Sequence, residues 1–481
     1  MCAMVKTRNG LTVTTASPAA ADLYQEGLDL VLSQNYGPEE KVRAAIDADD
    51  GFAMANVVLA YVLHLQMNVP AARAAAERAI ELSAGISQHE RQAAQIMHCF
   101  THGKGTEAIR LIHEHLAEFP TDTLAMRVAQ RLYMLGCFGA GVPDFPNHLM
   151  AMMSKVAPAN GDDWAFLGQY AFAHHETNQP EKAMDLALRS LDGNSQNAVA
   201  SHSVTHSYFE QGDAANGGRW LGDWLDGFDR RAAYNTHLSW HLALFELAQG
   251  KYQRALDLYE THIRPGVQAR NLANLQDAAS LLWRLQIYSG EAPAKPWDEV
   301  RDMALPAADG PGAAFRDCHA ALAFAGAGDA EATQRFVDRL TAQGEKGDDL
   351  SREMTLPIAM GAAAFVAGDY DEAADLMGPT YAMMARIGGS HAQREVFEDT
   401  LLETYIRAGR YDDAKEMLDE RLSRRSSVRD TYWYGRLEAE AVQGNPDASR
   451  ELLVKARAAW APTADESAAE LQRLATTLDC G

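Results

Sequence analysis

The sequence predicts an all-α protein, a right-handed superhelix of about twelve helical hairpins. Three observations predict it. One phrase recurs along the chain, its recurrences are evenly spaced, and strand signals are nearly absent between them. The phrase is Gly-x-Tyr-x-x-Ala, seen in "GKYQRALDLY" at Gly250, "GDYDEAADLM" at Gly368 and "GRYDDAKEML" at Gly409. Looser forms begin at Asn35, Asn68, Gly103, Asn178, Gly212, Gly290, Gly328 and Gly444, and a degenerate one is expected near Gly139. The mean step is roughly 37 residues, within the range of helical-hairpin repeats.

Each part of the phrase has a physical role. The Gly suits a left-handed cap ending the first helix of a pair, and the next residues begin the second. The Ala lets the two helices approach closely, and the aromatic fills the space beside it. Ala255→Trp is therefore expected to overpack the contact. This is the tetratricopeptide pattern, and it assigns residues 20–475 to one continuous solenoid after an extension over residues 1–19.

The chain has 481 residues, 47% of them hydrophobic, and a formal net charge of −23. So acidic a chain is a poor partner for nucleic acids or anionic membranes. The five cysteines are scattered and never in CxxC spacing, as expected of free thiols in a reducing compartment. The N-terminal stretch lacks the apolar core of a secretory signal. A cytoplasmic location is the expectation.

Two His-x-x-x-His pairs stand out: His202 with His206 in "SHSVTH", and His237 with His241 in "NTHLSWH". Counting back from the turn glycines at 100° per residue places His202, His206, Glu210, His237, His241, Asp277, Ser280 and Arg284 within one arc of about 100°. The partner-facing positions, such as Val204, Leu242 and Trp283, lie on another arc. The polar stripe is thus expected to line a concave groove over residues 164–290, with His175 and Glu176 joining from one side.

Three readings follow. The stripe is a clamp for a small polar molecule or short peptide, with His202, His175, Glu176, Asp277, Ser280 and Arg284 as contacts and Arg284 gripping an anionic group. Alternatively, His202, His206, His237 and His241 bind a divalent transition metal (Zn, Fe or Mn), and the protein is a metal-dependent or His-based hydrolase in which His206, His237, His241 and Glu210 carry the chemistry. The plainest reading is a hydrated scaffold face for protein–protein interaction. His113 and His115 in "IHEHLAEF" are expected at the surface. The sequence leaves oligomerisation open.

The chain resembles the tetratricopeptide repeat protein 38 family. The resemblance is carried by "SHSVTH", "THLSWHLALFELAQGKYQRALDLYETHIRP" (236–265), "SLLWRLQ" (280–286) and "GGSHAQREVF" (388–397), with support from "EFPTDTLAM" (118–126). It implies an all-α repeat protein and brings no catalytic role. It also places Arg284, Gln393 and Arg394 in recognisable motifs. In "IGGSHAQREVF" the paired glycines break one helix and Ser390 caps the next. His391, Gln393 and Arg394 then sit near a helix N-terminus, where a guanidinium suits an anion. Residues 386–400 are the expected closing segment of a pocket.

Overall fold

The computed structural model describes residues 3–134, 144–289, 296–310, 312–441 and 444–463. These residues fold almost entirely into α-helices joined by tight turns. They divide into two compact units: Met1–Ser207 with Gly227–Asn235, and Tyr208–Asp226 with Thr236–Gly481.

The turns expected near Gly139 and at Gly290 lie outside the described residues. Gly444 is not among the residues of positive φ, but six other glycine turns are as the phrase requires. Gly103, Gly212, Gly250, Gly328, Gly368 and Gly409 all take positive φ, between 66° and 82°, the left-handed region that a Cβ disfavours. Where glycine is missing, another residue takes the same conformation: Gln34, Met67 and Asn178 have φ of 58°, 62° and 57°. The helices Leu356–Ala367 and Tyr370–Met377 flank Gly368 in this way, and His391–Arg407 and Tyr411–Arg424 flank Gly409. The alanines of the phrase, Ala255, Ala373 and Ala414, are fully buried, while Tyr252, Tyr370 and Tyr411 are half-buried. Ala255→Trp is expected to destabilise unit 2 by about 1–3 kcal/mol, read as a lowered denaturant midpoint.

Some hairpins depart from the regular pattern at prolines. The helix from Tyr252 widens into a π-turn at Tyr259–Ile263, just before Pro265, and another π-turn at Ser351–Thr355 precedes Pro357. Proline has no N–H and crowds the carbonyl four residues back, so the helix widens locally rather than breaking. Gly378–Ile387, with Pro379 at its start, winds as a 3-10 segment instead.

Residues 1–19 include a structure the repeat pattern does not contain. Strands Ala3–Lys6 and Thr12–Thr15 pair antiparallel. Glu90 fastens this hairpin to unit 1. Its carboxylate accepts from the Thr14 N–H at 2.7 Å and the Thr14 hydroxyl at 2.8 Å. The first helix begins at Pro18 with Ser17 as its cap.

In unit 2 the helix His391–Arg407 is buried on every side, from Ala392 through Ile406. Glu395, Glu398, Asp399 and Glu403 are among the buried residues. Its own sequence has no apolar stripe to explain this. Arginines from neighbouring elements do: Arg421 reaches Asp399 and Glu395, and Arg436 reaches Glu403 at 2.9 Å. A carboxylate enters such an interior only when paired.

Candidate functional site

The residues of the expected polar stripe are largely buried. His202, His206, His241, Asp277, Ser280 and Arg284 are all buried, and Arg284 is only 2% exposed. The wheel ranks them by direction around their own helix axes. It could not show that both sides are covered, as on the helix Ala198–Glu210, where every residue from Ala198 to Ser207 is buried.

Within unit 2, Asp277 holds His237 by Nδ1 at 3.1 Å. A carboxylate accepting from Nδ1–H leaves Nε2 as the basic nitrogen of the ring. Trp240 stacks on His237 with ring centroids 5.4 Å apart. Its indole N–H donates to the Ser280 hydroxyl at 2.9 Å, so Ser280 positions a tryptophan rather than a ligand. His241 packs edge-on against both rings. The Arg284 guanidinium lies 5.7 Å from the Trp240 ring centre, donates to the Ala392 carbonyl at 2.7 Å and faces Asp399 at 3.8 Å.

The segment around "GGSHAQREVF" leads into the buried helix His391–Arg407. Gly388 and Gly389 have φ of 88° and 79°, and a Cβ on Gly389 would strike the Phe315 ring. The Ser390 N–H donates to the Gln393 side-chain oxygen at 3.0 Å. Arg394 does not face outward to an anion. It bonds back to the Gly389 carbonyl and ties the loop down. His391 Nδ1 lies 2.9 Å from Glu210, which joins two candidates 181 residues apart. Burial alone would lower the His391 pKa, but Glu210 outweighs it and holds the ring above its usual value. Burial likewise would raise Glu210, yet His391 and Arg425 keep it low.

Arg284, Tyr288, Glu395 and Asp399 line a cavity of about 70 Å³ together with Arg421, Arg425 and Arg429. Phe209, Leu244, Leu247 and Ala248 form its apolar wall. Arg425 lies over the Phe209 ring at 4.1 Å and also pairs with Glu395. Burial pushes the Asp399 carboxyl up despite Arg421 beside it. For Glu395 the same burial is outweighed by Arg425 and Arg421, and its carboxyl stays low. Arg284, Arg421 and Arg425 each keep one buried Nη1 without a hydrogen-bond partner among the described residues. The wheel missed Arg421, Arg425 and Arg429. The signal available was "RLSRRSSVRD" (421–430), a basic run in a strongly acidic chain.

Unit 1 holds the remaining candidates. His202 Nε2 lies 3.0 Å from His206 Nε2, and the Tyr234 hydroxyl is 3.1 Å from His202 Nδ1. His175 and Glu176 are buried beside them. Of the four histidines expected to share one ion, His202 and His206 belong to unit 1 and His237 and His241 to unit 2. His115 is fully buried, not at the surface as expected. His113 is exposed, as expected, and contacts the Tyr133 hydroxyl at 3.0 Å. His115 and His89 both bond Asp122 Oδ2, at 3.0 and 2.9 Å.

Fold and interior together define a helical-hairpin repeat protein. Residues 401–464 match the tetratricopeptide repeat family. Among solved structures, a human IFIT1 dimer with m7Gppp-AAAA is 13% identical, with 93% of this chain and 96% of that chain covered and a TM-score of 0.38. Yeast Tom70 is 10% identical, with 96% and 95% covered and a TM-score of 0.31. Likenesses this loose transfer no ligand, and they lend no support to excluding nucleic acid. No helix among the described residues is long and apolar enough to cross a membrane.

Proposed function

We propose that unit 2 binds a small organic carboxylate in the arginine-lined cavity. The observation that carries this reading is the set of three buried guanidinium Nη1 atoms, on Arg284, Arg421 and Arg425, that lack hydrogen-bond partners among the described residues while their side chains line one cavity. A buried N–H left unmade costs about 1–3 kcal/mol, and a bidentate carboxylate is the group a guanidinium satisfies best. The wall of Leu244, Leu247 and Phe209 favours a ligand with a short apolar body over inorganic phosphate. Asp399, its carboxyl raised by burial, is the candidate proton acceptor, and His237 with Asp277 is a second acid–base pair on the same helices. The histidine motifs and the 388–397 segment also support assignment to the tetratricopeptide repeat protein 38 family. The free thiols of Cys99 and Cys318 suit a reducing, cytoplasmic setting.

The test is thermal unfolding of the full chain titrated with acetate, succinate and benzoate, with methylammonium as control. A ligand at a hundred times its Kd stabilises by about 2.7 kcal/mol. A saturable rise with at least one carboxylate is expected, absent in Arg425→Gln and absent with methylammonium. No rise with any carboxylate, or an equal rise in the variant, overturns the reading and leaves the arginines as purely structural partners of the buried carboxylates.

A further inference from the structure

The helix Trp164–Glu176 of unit 1 ends in His175 and Glu176, and both side chains are fully buried. His175 Nδ1 is 3.4 Å from Glu176 Oε1, near but not aligned as a hydrogen bond. Neither ring nitrogen of His175 has a hydrogen-bond partner among the described residues. An imidazole buried with both nitrogens unsatisfied carries a desolvation penalty that native interiors rarely tolerate.

Its neighbours are other metal-competent groups. The His175 ring lies parallel to that of His206 at 4.2 Å. Ligand atoms of His175, Glu176 and His206 all fall within 4.8 Å of one another. His206 Nε2 faces His202 Nε2 at 3.0 Å. Two imidazole nitrogens held at about 2.0–2.1 Å on one tetrahedral ion sit roughly 3.3 Å apart, close to that separation. The Tyr234 hydroxyl lies 3.1 Å from His202 Nδ1, and by accepting from Nδ1–H it would leave Nε2 as the ligating nitrogen. Phe172, 4.5 Å from the His175 ring, gives the cluster an apolar side. A direct N–H···N bond between His202 and His206 would account for that pair, but it leaves His175 beside a buried carboxylate unexplained.

We propose that unit 1 binds one divalent transition metal through His175, Glu176 and His206, with His202 beside His206 as a further candidate ligand. The set differs from the one the His-x-x-x-His spacing suggests: it draws on a neighbouring helix end and does not use His237 or His241. Imidazoles together with a carboxylate suit Zn²⁺, Fe²⁺ or Mn²⁺. The site is independent of the carboxylate cavity, and each proposal can fail without the other.

The experiment strips the full chain with chelator, then titrates Zn²⁺ and Co²⁺, reading metal per chain and the visible d–d absorption of bound Co²⁺. About one equivalent is expected, with a metal-dependent rise in unfolding temperature. His175→Gln is the decisive variant, because it breaks no hydrogen bond and should fold as well as the parent. It should weaken binding by at least the ~10–100-fold that loss of a mere supporting residue causes. His206→Gln and Glu176→Gln should do the same, while His113→Gln retains full binding. Binding below about a tenth of an equivalent, or equal affinity in His175→Gln, overturns the proposal.

Discussion

Arg421→Ala is expected to destabilise the protein by about 3–5 kcal/mol, the cost of breaking a buried ion pair from one side. Arg421 is 4% exposed in its side chain and is the hub of the unit 2 interior. Its Nε and Nη2 reach Asp430 at 3.1 and 2.9 Å, Nη2 also reaches Asp399 at 2.8 Å, and Glu395 and Glu398 lie at 3.4 and 3.8 Å. Alanine would strand these carboxylates in a medium that penalises uncompensated charge. Arg421→Lys keeps the charge but cannot make the forked contact with Asp430, and should fall between the two. Denaturant unfolding of the three proteins checks the order. Equal midpoints for Arg421→Ala and the parent would mean that the carboxylates are protonated or hydrated, and that the ionic interior is not as described.

The second large effect is expected at Asp122 in unit 1. Asp122 is buried, accepts from His89 and His115, and caps the next helix through the Ala125 N–H at 2.9 Å. Asp122→Asn keeps the shape but removes the charge that both histidines face, and should cost about 2–3 kcal/mol near pH 6. The effect depends on pH with a definite sign. Burial alone would lower His89, yet Asp122 outweighs it and raises the folded-state pKa above 6.5. That contribution is fully present below about pH 6.5 and is lost as pH rises through the raised folded value. Burial would raise Asp122, but His115 and His89 outweigh it and its carboxyl lies far below the ordinary value of 3.8. Its contribution is therefore present above about pH 4 and is lost only as pH falls through the depressed value. Parent stability attributable to this cluster should be greatest between about pH 4 and 6.5 and decline toward pH 9, while Asp122→Asn shows a flatter profile. A difference between the two proteins that stays constant from pH 5 to pH 9 would show that His89 does not titrate against Asp122.

Both predictions concern residues that the helical wheel did not single out, and the reason is physical. A wheel ranks positions by direction around one helix axis. The wheel sets His202, His206, Asp277 and Arg284 in one direction from the sequence alone. Whether that direction meets water depends on elements far away in sequence. Arg284 is buried against residues of the helix His391–Arg407, more than a hundred positions later. A charged residue in a core and one in a groove look alike until the partner that neutralises it is known. His115 shows the same limit: in "IHEHLAEF" nothing distinguishes it from His113, and only Asp122 and His89 make it an interior residue.

The hairpins themselves were legible because they are local. A positive-φ residue, a small alanine at the helix contact and a period of roughly 37 residues are short-range constraints, and each hairpin satisfies them largely within its own segment. The sequence by itself thus determined the helical repeat, the turns at Gly103, Gly212, Gly250, Gly328, Gly368 and Gly409, and the cap at Ser390. Tertiary structure alone decided that the stripe residues are largely buried, that Glu210 pairs with His391, that arginines from "RLSRRSSVRD" close a cavity, and that His175 lies against His206. Those outcomes depend on pairing charges and filling space between distant segments, and no periodicity along one chain records which distant segment supplies the partner.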